Sequence, residues 1–522
     1  PEREILRAFF NRCLRARAFP DLWKVVVNIP LFKGGKKSQT DPNSWRPVAI
    51  SAVTCRLFER ILLKRIMRYI EPQLHHSQYG FRKGKSTTMA ILDILLTVTD
   101  TLGSRFADPG RASVVGEVLL ANIDMSNAFP SMSPHLVLER LRQMGLPDAY
   151  CRLIAHFLTN RRMQTRVEGK KSRPQPACWG APQGTILGPF LWIVFMNPML
   201  TELDKVTTRH NTLAGGHLNP SVRCGNVSYV DDAQLHVAAR SAQTRDIVMK
   251  DMLAVVDRFA SDNFLTISDK TEMIEFSHRP EKLRAKERMD FTLGSIQLRH
   301  EDKVQQTRIL GLVMDTTLPF APYLNKLEKE VSNDLDVLQE LARYTRAPLT
   351  RVIYMGKPLA RLRYALPLIW NMLNATNKLR MTRLHLRGCR ITTGCHQPAK
   401  SAGVVAEAGC HSLDHYCQLD LKKLTLKILA LEDKTQACVK LCLPRVIAPP
   451  PFTSVEPAAS RQIPFQVMPT NAAPVLACTL CHRAGKIDGR REVVNHPVVH
   501  MASNNIDRSR TQFEGVYYLD AM

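Results

Sequence analysis

The sequence predicts an α+β protein of more than one domain, and three observations carry that expectation. The chain has 522 residues, 45% of them hydrophobic, more than a single typical core requires. Short apolar runs of strand length alternate with stretches whose apolar residues recur at helical spacing. A pair of adjacent carboxylates, Asp231-Asp232, stands between two β-branched runs in NVSYVDDAQLHV, residues 226 to 237.

Val118 to Ile123 is an apolar run of strand length that ends at Asp124. Ser133-Pro134 then reads as an N-cap and first-turn proline, and the helix that follows carries Leu136, Leu138, Leu141 and Met144 and stops at Gly145. Asp124 therefore sits where a buried strand runs out. Pro174 to Thr201 contain no charged side chain, a length that would span a bilayer. Five prolines, three glycines and the polar Gln183-Gly184-Thr185 favour instead a buried helix entered through a glycine-bearing loop. Val227 to Val230 and Leu235 to Val237 are the arms of a hairpin. Val248, Met252, Val255, Val256 and Phe259 describe an amphipathic helix, and alternation through Ile274 and Phe276 gives another strand with Lys270 just before it. The order strand, helix, hairpin, helix, strand predicts a sheet with helices packed on one face.

Lys and Arg number 72 against 47 Asp and Glu, a formal net charge of +25 and a pI of about 9.7. Self-repulsion of that size points to a polyanion partner, nucleic acid above all, with a basic but unspecialised surface as the alternative. The chain opens on Pro1 without a secretory signal, so it reads as a fragment of a longer, intracellular product. Of 13 cysteines, five precede residue 380 and read as buried thiols in a reducing compartment; eight lie from Cys389 onward. The eight prolines from Pro444 to Pro474 mark a linker between a large unit and a small tail.

Asp124 and Asp231-Asp232 meet if their strands are neighbours, and three carboxylates so close repel unless divalent cations neutralise them. Oxygen-only ligands suit Mg²⁺, and two such ions stabilise the attacking and leaving oxygens of a phosphoryl displacement. The bland alternative is a turn in which Asp is simply a good turn former.

Several segments in order resemble the reverse transcriptases of non-LTR (LINE-type) retrotransposons. YVDD at Tyr229 to Asp232, IDMSNAF at Ile123 to Phe129, APQGTILGP at Ala181 to Pro189 and SDKTEMIEF at Ser268 to Phe276 look like the successive palm motifs. IPLFKGGKKSQTDPNSWRPVAISAVTCRLFERIL and SQYGFRKGKSTTMAILDI resemble the fingers, ILGLVMDTTLPF the primer grip, and LRGCRITTGCHQPAKSAGVVAEAGC the connection after the thumb. The resemblance covers about residues 20 to 430. It implies a right-hand polymerase fold: 1–117 an N-terminal extension and fingers, 118–320 a palm whose antiparallel sheet has helices on one face, 321–443 a helical thumb and connection, 444–475 the linker, and 476–522 a zinc-knuckle tail.

The resemblance also implies roles. Asp124 and Asp231 would hold two Mg²⁺ ions, with Asp232 the less direct third carboxylate. Phe129 would lie under the incoming sugar and clash with a 2′-hydroxyl, while Gln183 and Gly184 would pack against nucleotide and template. Lys270 would lie near the nucleotide phosphates; Arg82, Lys85 and Arg46 would neutralise template or triphosphate charge. Gly311 would belong to the turn that supports the primer end. The implied partners are template RNA, a DNA primer or nicked target DNA, and deoxynucleoside triphosphates, with no membrane and a nuclear location. Two departures stand out: Pro130 where this branch usually has Asp, and Val230 where it usually has Ala.

Basic thumb stretches such as RVIYMGKPLARLRYALPLIW would track a template-primer duplex through its phosphates. Cys478, Cys481, His496 and His500 fall within the spacing range of a Zn²⁺ site, although the residues between them lack a finger's aromatic and leucine core. Cys389, Cys395, Cys410 and Cys417 are too irregularly spaced for a metal site and read as buried thiols. Two functional classes stay open: an RNA-directed DNA polymerase, or a decayed or repurposed relic that binds RNA without catalysis. The unbroken carboxylates favour the first, and NSWRPV together with the post-thumb connection points away from a group II intron-type enzyme. No endonuclease or RNase H carboxylate set is visible.

Overall fold

Val118 to Ile123, the run predicted to be a buried strand, lies in the strand Glu117–Ile123, and Val118, Leu119, Leu120 and Ala121 are all fully buried. A computed structural model describes residues 2–430 except 36, 103–115, 127, 178, 214–215, 217–218, 220, 278–289, 300–302 and 397–398, together with the backbone of Val475–Cys478 and Arg483–Lys486. The chain divides into two units, residues 1–323 with 424–445, and residues 324–423 with 446–522.

In the first unit the strands, in chain order, are β1 Val25–Phe32, β2 Trp45–Ile50, β3 Glu117–Ile123, β4 Arg161–Val167, β5 Lys170–Lys171, β6 Gln175–Ala177, β7 Val222–Tyr229, β8 Asp232–Ala239 and β9 Glu272–Phe276. One sheet has the order β7-β8-β3-β9 and is antiparallel throughout. Ile123 pairs with Ala233, so the end of β3 lies beside the start of β8, although more than a hundred residues separate them. The hairpin and the strand–helix–hairpin–helix–strand order are as expected from sequence.

The expectation that helices cover one face of this sheet is corrected. Leu119, Ala121 and Ile123 share a core with the helices Val53–Ile70, Pro134–Gln143, Leu187–Asn211 and Ala242–Asp262. The opposite face lies against Thr87–Leu102, where Thr97 Oγ1 is 3.5 Å from His236 Nε2. The physical reason was present in the sequence: an uninterrupted apolar run, without alternation, has both faces to bury.

The charge-free segment predicted to be a core helix is one. Leu187–Asn211 buries Leu187, Phe190, Leu191, Trp192, Ile193, Val194, Phe195 and Met196 in succession, so no side of its first half faces water. Each such side chain contributes roughly 1.5–3 kcal/mol of burial. Among the described residues no helix is long and apolar enough to cross a membrane.

A second sheet, unread in the sequence, has the order β2-β1-β4-β5, with β6 also on β4. Its β1–β2 pair is antiparallel, with Leu31 opposite Arg46, and β1 runs parallel to β4. Farther along, Leu310 and Gly311 form the two-residue turn between Gln306–Ile309 and Leu312–Asp315, both with positive φ, 47° and 100°.

The second unit is helical over its described residues between 324 and 423, and its tail holds one antiparallel pair, Val475–Cys478 with Arg483–Lys486. Its arginines are largely paired: Arg361 with Glu330 and Asp334 at 2.6 Å each, Arg363 with Asp420 at 2.7 Å, and Arg387 with Asp336 at 2.5 Å. These residues are therefore less a bare basic face than their sequence suggests. Gly388 leaves room for the Tyr354 ring, which a Cβ there would meet at 2.1 Å, and Tyr354 Oη is 2.7 Å from His385 Nδ1. Cys389, Cys410 and Cys417 are buried thiols, as expected, with Cys395 half-buried. In the tail, Cys481, His496 and His500 lie outside the described residues, as does the proline-rich linker before Val475; Cys478 ends a short strand.

Candidate active site

β7 and β8 join through a two-residue turn, Val230-Asp231, because Tyr229 pairs directly with Asp232. The tight turn demands positive φ at its first central position, and Val230 adopts 62° there. That conformation costs a β-branched residue about 1–2 kcal/mol, so surrounding contacts must hold it.

They are numerous. Gln78, fully buried, accepts from Val230 N–H at 3.0 Å and Gly80 N–H at 2.8 Å, and donates to Ser228 Oγ at 3.0 Å. Ser228 N–H donates to Ser77 O at 2.9 Å and Tyr79 N–H to Ser228 O at 2.8 Å, so residues 77 to 79 cover the edge of β7. Trp192 Nε1 donates to Val230 O at 3.0 Å. Gly80 approaches so closely that a Cβ would stand 2.7 Å from Val230 N. Nothing in the sequence reading singled out Gln78 or Trp192; the signal was a Gln within the quoted SQYGF.

Asp124 follows β3 directly. Thr271 Oγ1 accepts from its N–H at 3.2 Å, and its carbonyl accepts from Ser268 N–H at 2.8 Å. These bonds lace the segment before β9 to the end of β3 and bring Lys270 Nζ to 3.7 Å from Asp124 Oδ2, the lysine largely exposed and the aspartate half-buried. The three carboxylates feel one another. Asp231 is raised from the ordinary carboxylate value by lost hydration first and then by Asp124, with Arg46 acting the other way. Asp232 is pushed up to about 6 by lost hydration, then by Asp231 and Asp124. Oxygen donors that repel one another in this way form a set suited to a hard divalent cation.

Phe129 stacks near Trp192, with ring centroids 5.9 Å apart, and its carbonyl accepts from Ala181 N–H at 3.0 Å. The Gln183-Gly184 loop packs on β2. Gln183 O accepts from Ala49 N–H at 2.7 Å, and Gly184, at φ 119°, would drive a Cβ to 2.6 Å from Ala49 O. Both loop residues are exposed.

Beside the carboxylates stand Lys270 and Arg46, and both act on Lys33, a cation the sequence reading did not name. Lys33 is held below the ordinary lysine value by lost hydration, then by Lys37, Lys270 and Arg46, with Asp41 opposing. Lys33 follows β1 and Arg46 lies on β2, so one antiparallel pair presents both. Arg82 and Lys85, expected to neutralise nucleic-acid charge, turn inward instead. The Arg82 side chain is 6% exposed, pairs with Glu71 at 2.8 Å and donates to His75 O at 2.6 Å. Lys85 donates to His76 O and lies over the Tyr79 ring. Both hold the loop that carries Gln78.

Glu59, also unread, is fully buried and accepts from Ile186 N–H at 2.8 Å and Leu187 N–H at 3.0 Å, fixing the start of the central helix and with it the loop before it. Burial raises its carboxyl above the ordinary value.

Residues 35–314 match the family model described as reverse transcriptase (RNA-dependent DNA polymerase). Among curated Drosophila melanogaster proteins, the chain is 25% identical over 344 residues to a 115 kDa protein of the type-1 retrotransposable element R1DM, covering 66% of this chain and 30% of that one. It is 23% identical over 425 residues to the "Probable RNA-directed DNA polymerase from transposon BS", covering 79% of this chain and 43% of that one. It is 23% identical over 334 residues to the RNA-directed DNA polymerase from mobile element jockey, covering 62% and 32%. The chain thus spans less than half the length of each of these relatives. Among solved structures, apo telomerase from Candida tropicalis aligns over 80% of this chain and 71% of its own, at 10% identity and a TM-score of 0.37, a likeness too distant to bear on function.

Proposed function

The chain belongs to the reverse transcriptase (RNA-dependent DNA polymerase) family, on its non-LTR retrotransposon branch, and from that premise we propose that it extends a 3′-hydroxyl primer along an RNA template using deoxynucleoside triphosphates. The observation that carries this reading is the meeting of Asp124, at the end of β3, with Asp231-Asp232, at the turn into the paired strand β8, with Lys270 3.7 Å from Asp124 and Arg46 acting on Asp231. An anionic cradle with cations beside it is what a triphosphate and its counter-ions require.

In this reading Asp124 and Asp231 are the principal ligands of two Mg²⁺ ions, and Asp232 adds charge beside them. When bound, the ions supply Lewis-acid stabilisation of the attacking and leaving oxygens. The primer 3′-oxygen attacks the α-phosphorus, the bond to the pyrophosphate oxygen breaks, and pyrophosphate leaves. Lys33 and Arg46 offset charge on the β- and γ-phosphates, and Lys270 gives a proton to the departing pyrophosphate. Phe129 bounds the sugar from below, against a 2′-hydroxyl, and the exposed Gln183-Gly184 backbone supports base and template.

The division into fingers, palm with interleaved fingers elements, and thumb is part of the same proposal, as is priming from nicked chromosomal DNA in the nucleus. A zinc knuckle at Cys478, Cys481, His496 and His500 would add nucleic-acid affinity.

The test is Mg²⁺-dependent deoxynucleotide incorporation on a primed RNA template by the chain and by Asp231→Asn. Incorporation by the first and its loss in the second is the expected result. If neither extends the primer while both fold and bind duplex, the polymerase reading fails and a binding-only relic takes its place.

A further inference from the structure

The loop before the Thr87–Leu102 helix carries a second cluster that polymerisation leaves unused. His75, His76 and Asp204 each present one ligand atom, and the three atoms lie within 4.8 Å of one another. The histidines come from the loop and Asp204 from the central helix Leu187–Asn211. Loop and helix are pinned together: Asn197 Oδ1 accepts from His75 N–H at 2.7 Å, and Asn197 Nδ2 donates to Gln73 O at 3.2 Å.

His75 is held on its far side by Ser77 and faces Asp204 with its other nitrogen. Ser77 Oγ, which donates to Asn226 Oδ1 at 2.5 Å, lies 2.8 Å from His75 Nδ1, and Ser77 N–H donates to the same nitrogen at 3.3 Å. His75 Nε2 is the nitrogen turned toward Asp204 Oδ2, 3.9 Å away. Contacts of this kind on the far side of an imidazole orient metal-binding histidines.

We propose that His75, His76 and Asp204 form a binding site for a divalent transition-metal ion of the Zn²⁺ class. Two imidazoles and one carboxylate select such an ion over Mg²⁺, which prefers oxygen alone. Bonds of about 2.0–2.2 Å require the three atoms to draw closer than they stand, and Asp204, with 44% of its side chain exposed against 9% for His75, has the room to move. Solvent supplies the fourth ligand on the open side. The ion would brace the hairpin, because His75 reaches Asn226 of β7 through Ser77, and Gln78, the next residue, holds the Val230-Asp231 turn.

The experiment is a calorimetric Zn²⁺ titration, in excess Mg²⁺, of the full chain carrying Cys478→Ser and Cys481→Ser, which removes the thiols of the tail. One Zn²⁺ per chain is expected. Adding His76→Gln and Asp204→Asn, neither of them a core residue, weakens that binding by about a hundredfold or more, and Ser77→Ala weakens it about tenfold by removing the hydroxyl that holds the His75 ring. Asp231→Asn leaves Zn²⁺ binding intact, so this site and the polymerase reading fail separately. Circular dichroism establishes that each variant is folded. No Zn²⁺ binding by the parent chain, or binding indifferent to His76→Gln with Asp204→Asn, would overturn the proposal. His75 and Asp204 would then be only an ion pair, seen as an Asp204→Asn loss of thermal stability that Zn²⁺ does not alter.

Discussion

The side-chain oxygen of Gln78 accepts a hydrogen bond from the backbone N–H of Val230, the residue that enters the turn bearing Asp231, at 3.0 Å. The same oxygen accepts from Gly80 N–H, so one buried amide ties the loop to the turn and holds Val230 in a backbone conformation it would otherwise leave. Gln78→Leu keeps the volume and orphans two buried donors, at about 1–3 kcal/mol each. The turn relaxes, and displacement of Asp231 by even 1 Å lowers the turnover of incorporation on the order of a hundredfold. Gln78→Glu keeps the acceptor and falls between the two. Single-turnover incorporation, read beside a duplex-binding assay that stays constant, is the check; a Gln78→Leu enzyme as fast as the parent would remove the clamp from the mechanism.

Lys33 and Arg46 are expected to act on nucleotide binding more than on chemistry. Lys33→Ala and Arg46→Ala each raise KM for the deoxynucleotide several-fold, and the two effects fall short of adding because the cations already repel one another. Raising ionic strength narrows the difference from the parent, since both side chains are exposed. Steady-state kinetics at two salt concentrations decides it. A loss of kcat at unchanged KM would place these residues in the chemical step instead.

The Asp232 carboxyl, held up at about 6, ties stability to pH. Because the folded value lies above the unfolded value of about 4, the protonated carboxyl favours the folded chain below about pH 4, and that stabilisation is lost as the pH rises through about 6. Asp231, also raised, works in the same direction. In a chelator, the thermal midpoint of the parent should therefore decline relative to Asp232→Asn between about pH 4 and 6. Mg²⁺ needs the ionised form, so its stabilising effect should grow over the same window. A parent-to-variant difference that stays flat with pH, with and without Mg²⁺, would mean that the carboxylates do not repel as their placement implies.

Strand and hairpin around the carboxylates were legible because each is a local pattern: an apolar run ending at Asp124, and two β-branched arms around Asp231-Asp232. The charge-free stretch read correctly as a core helix because its prolines and polar loop residues argue against a bilayer. What escaped was non-local. Gln78 meets Val230 across 152 residues and Glu59 meets Leu187 across 128, and nothing in either segment's own periodicity marks a buried polar side chain as a partner for distant backbone. Arg82 illustrates the converse. A basic residue in GFRKGKS invites a nucleic-acid role, yet Glu71 and two loop carbonyls engage its guanidinium, a choice that depends on chain reversal rather than on charge.

Glu59 tests whether the central helix is positioned by its buried cap. Its Oε2 accepts from Ile186 and Leu187 N–H, and Oε1 accepts from Cys55 Sγ at 3.4 Å. Glu59→Ala strips both backbone donors of their partner in a site closed to water, at about 1–3 kcal/mol for each donor. Glu59→Gln retains an acceptor without the charge. Because burial already raises the Glu59 carboxyl, the neutral amide is the milder change. The urea midpoint should fall clearly for Glu59→Ala and little for Glu59→Gln, with the slope of the transition unchanged. Since the Gln183-Gly184 loop leads directly into this helix, the Ala variant should also raise KM for the nucleotide before it unfolds. Equal midpoints for the two variants would mean that the helix start is held by packing alone.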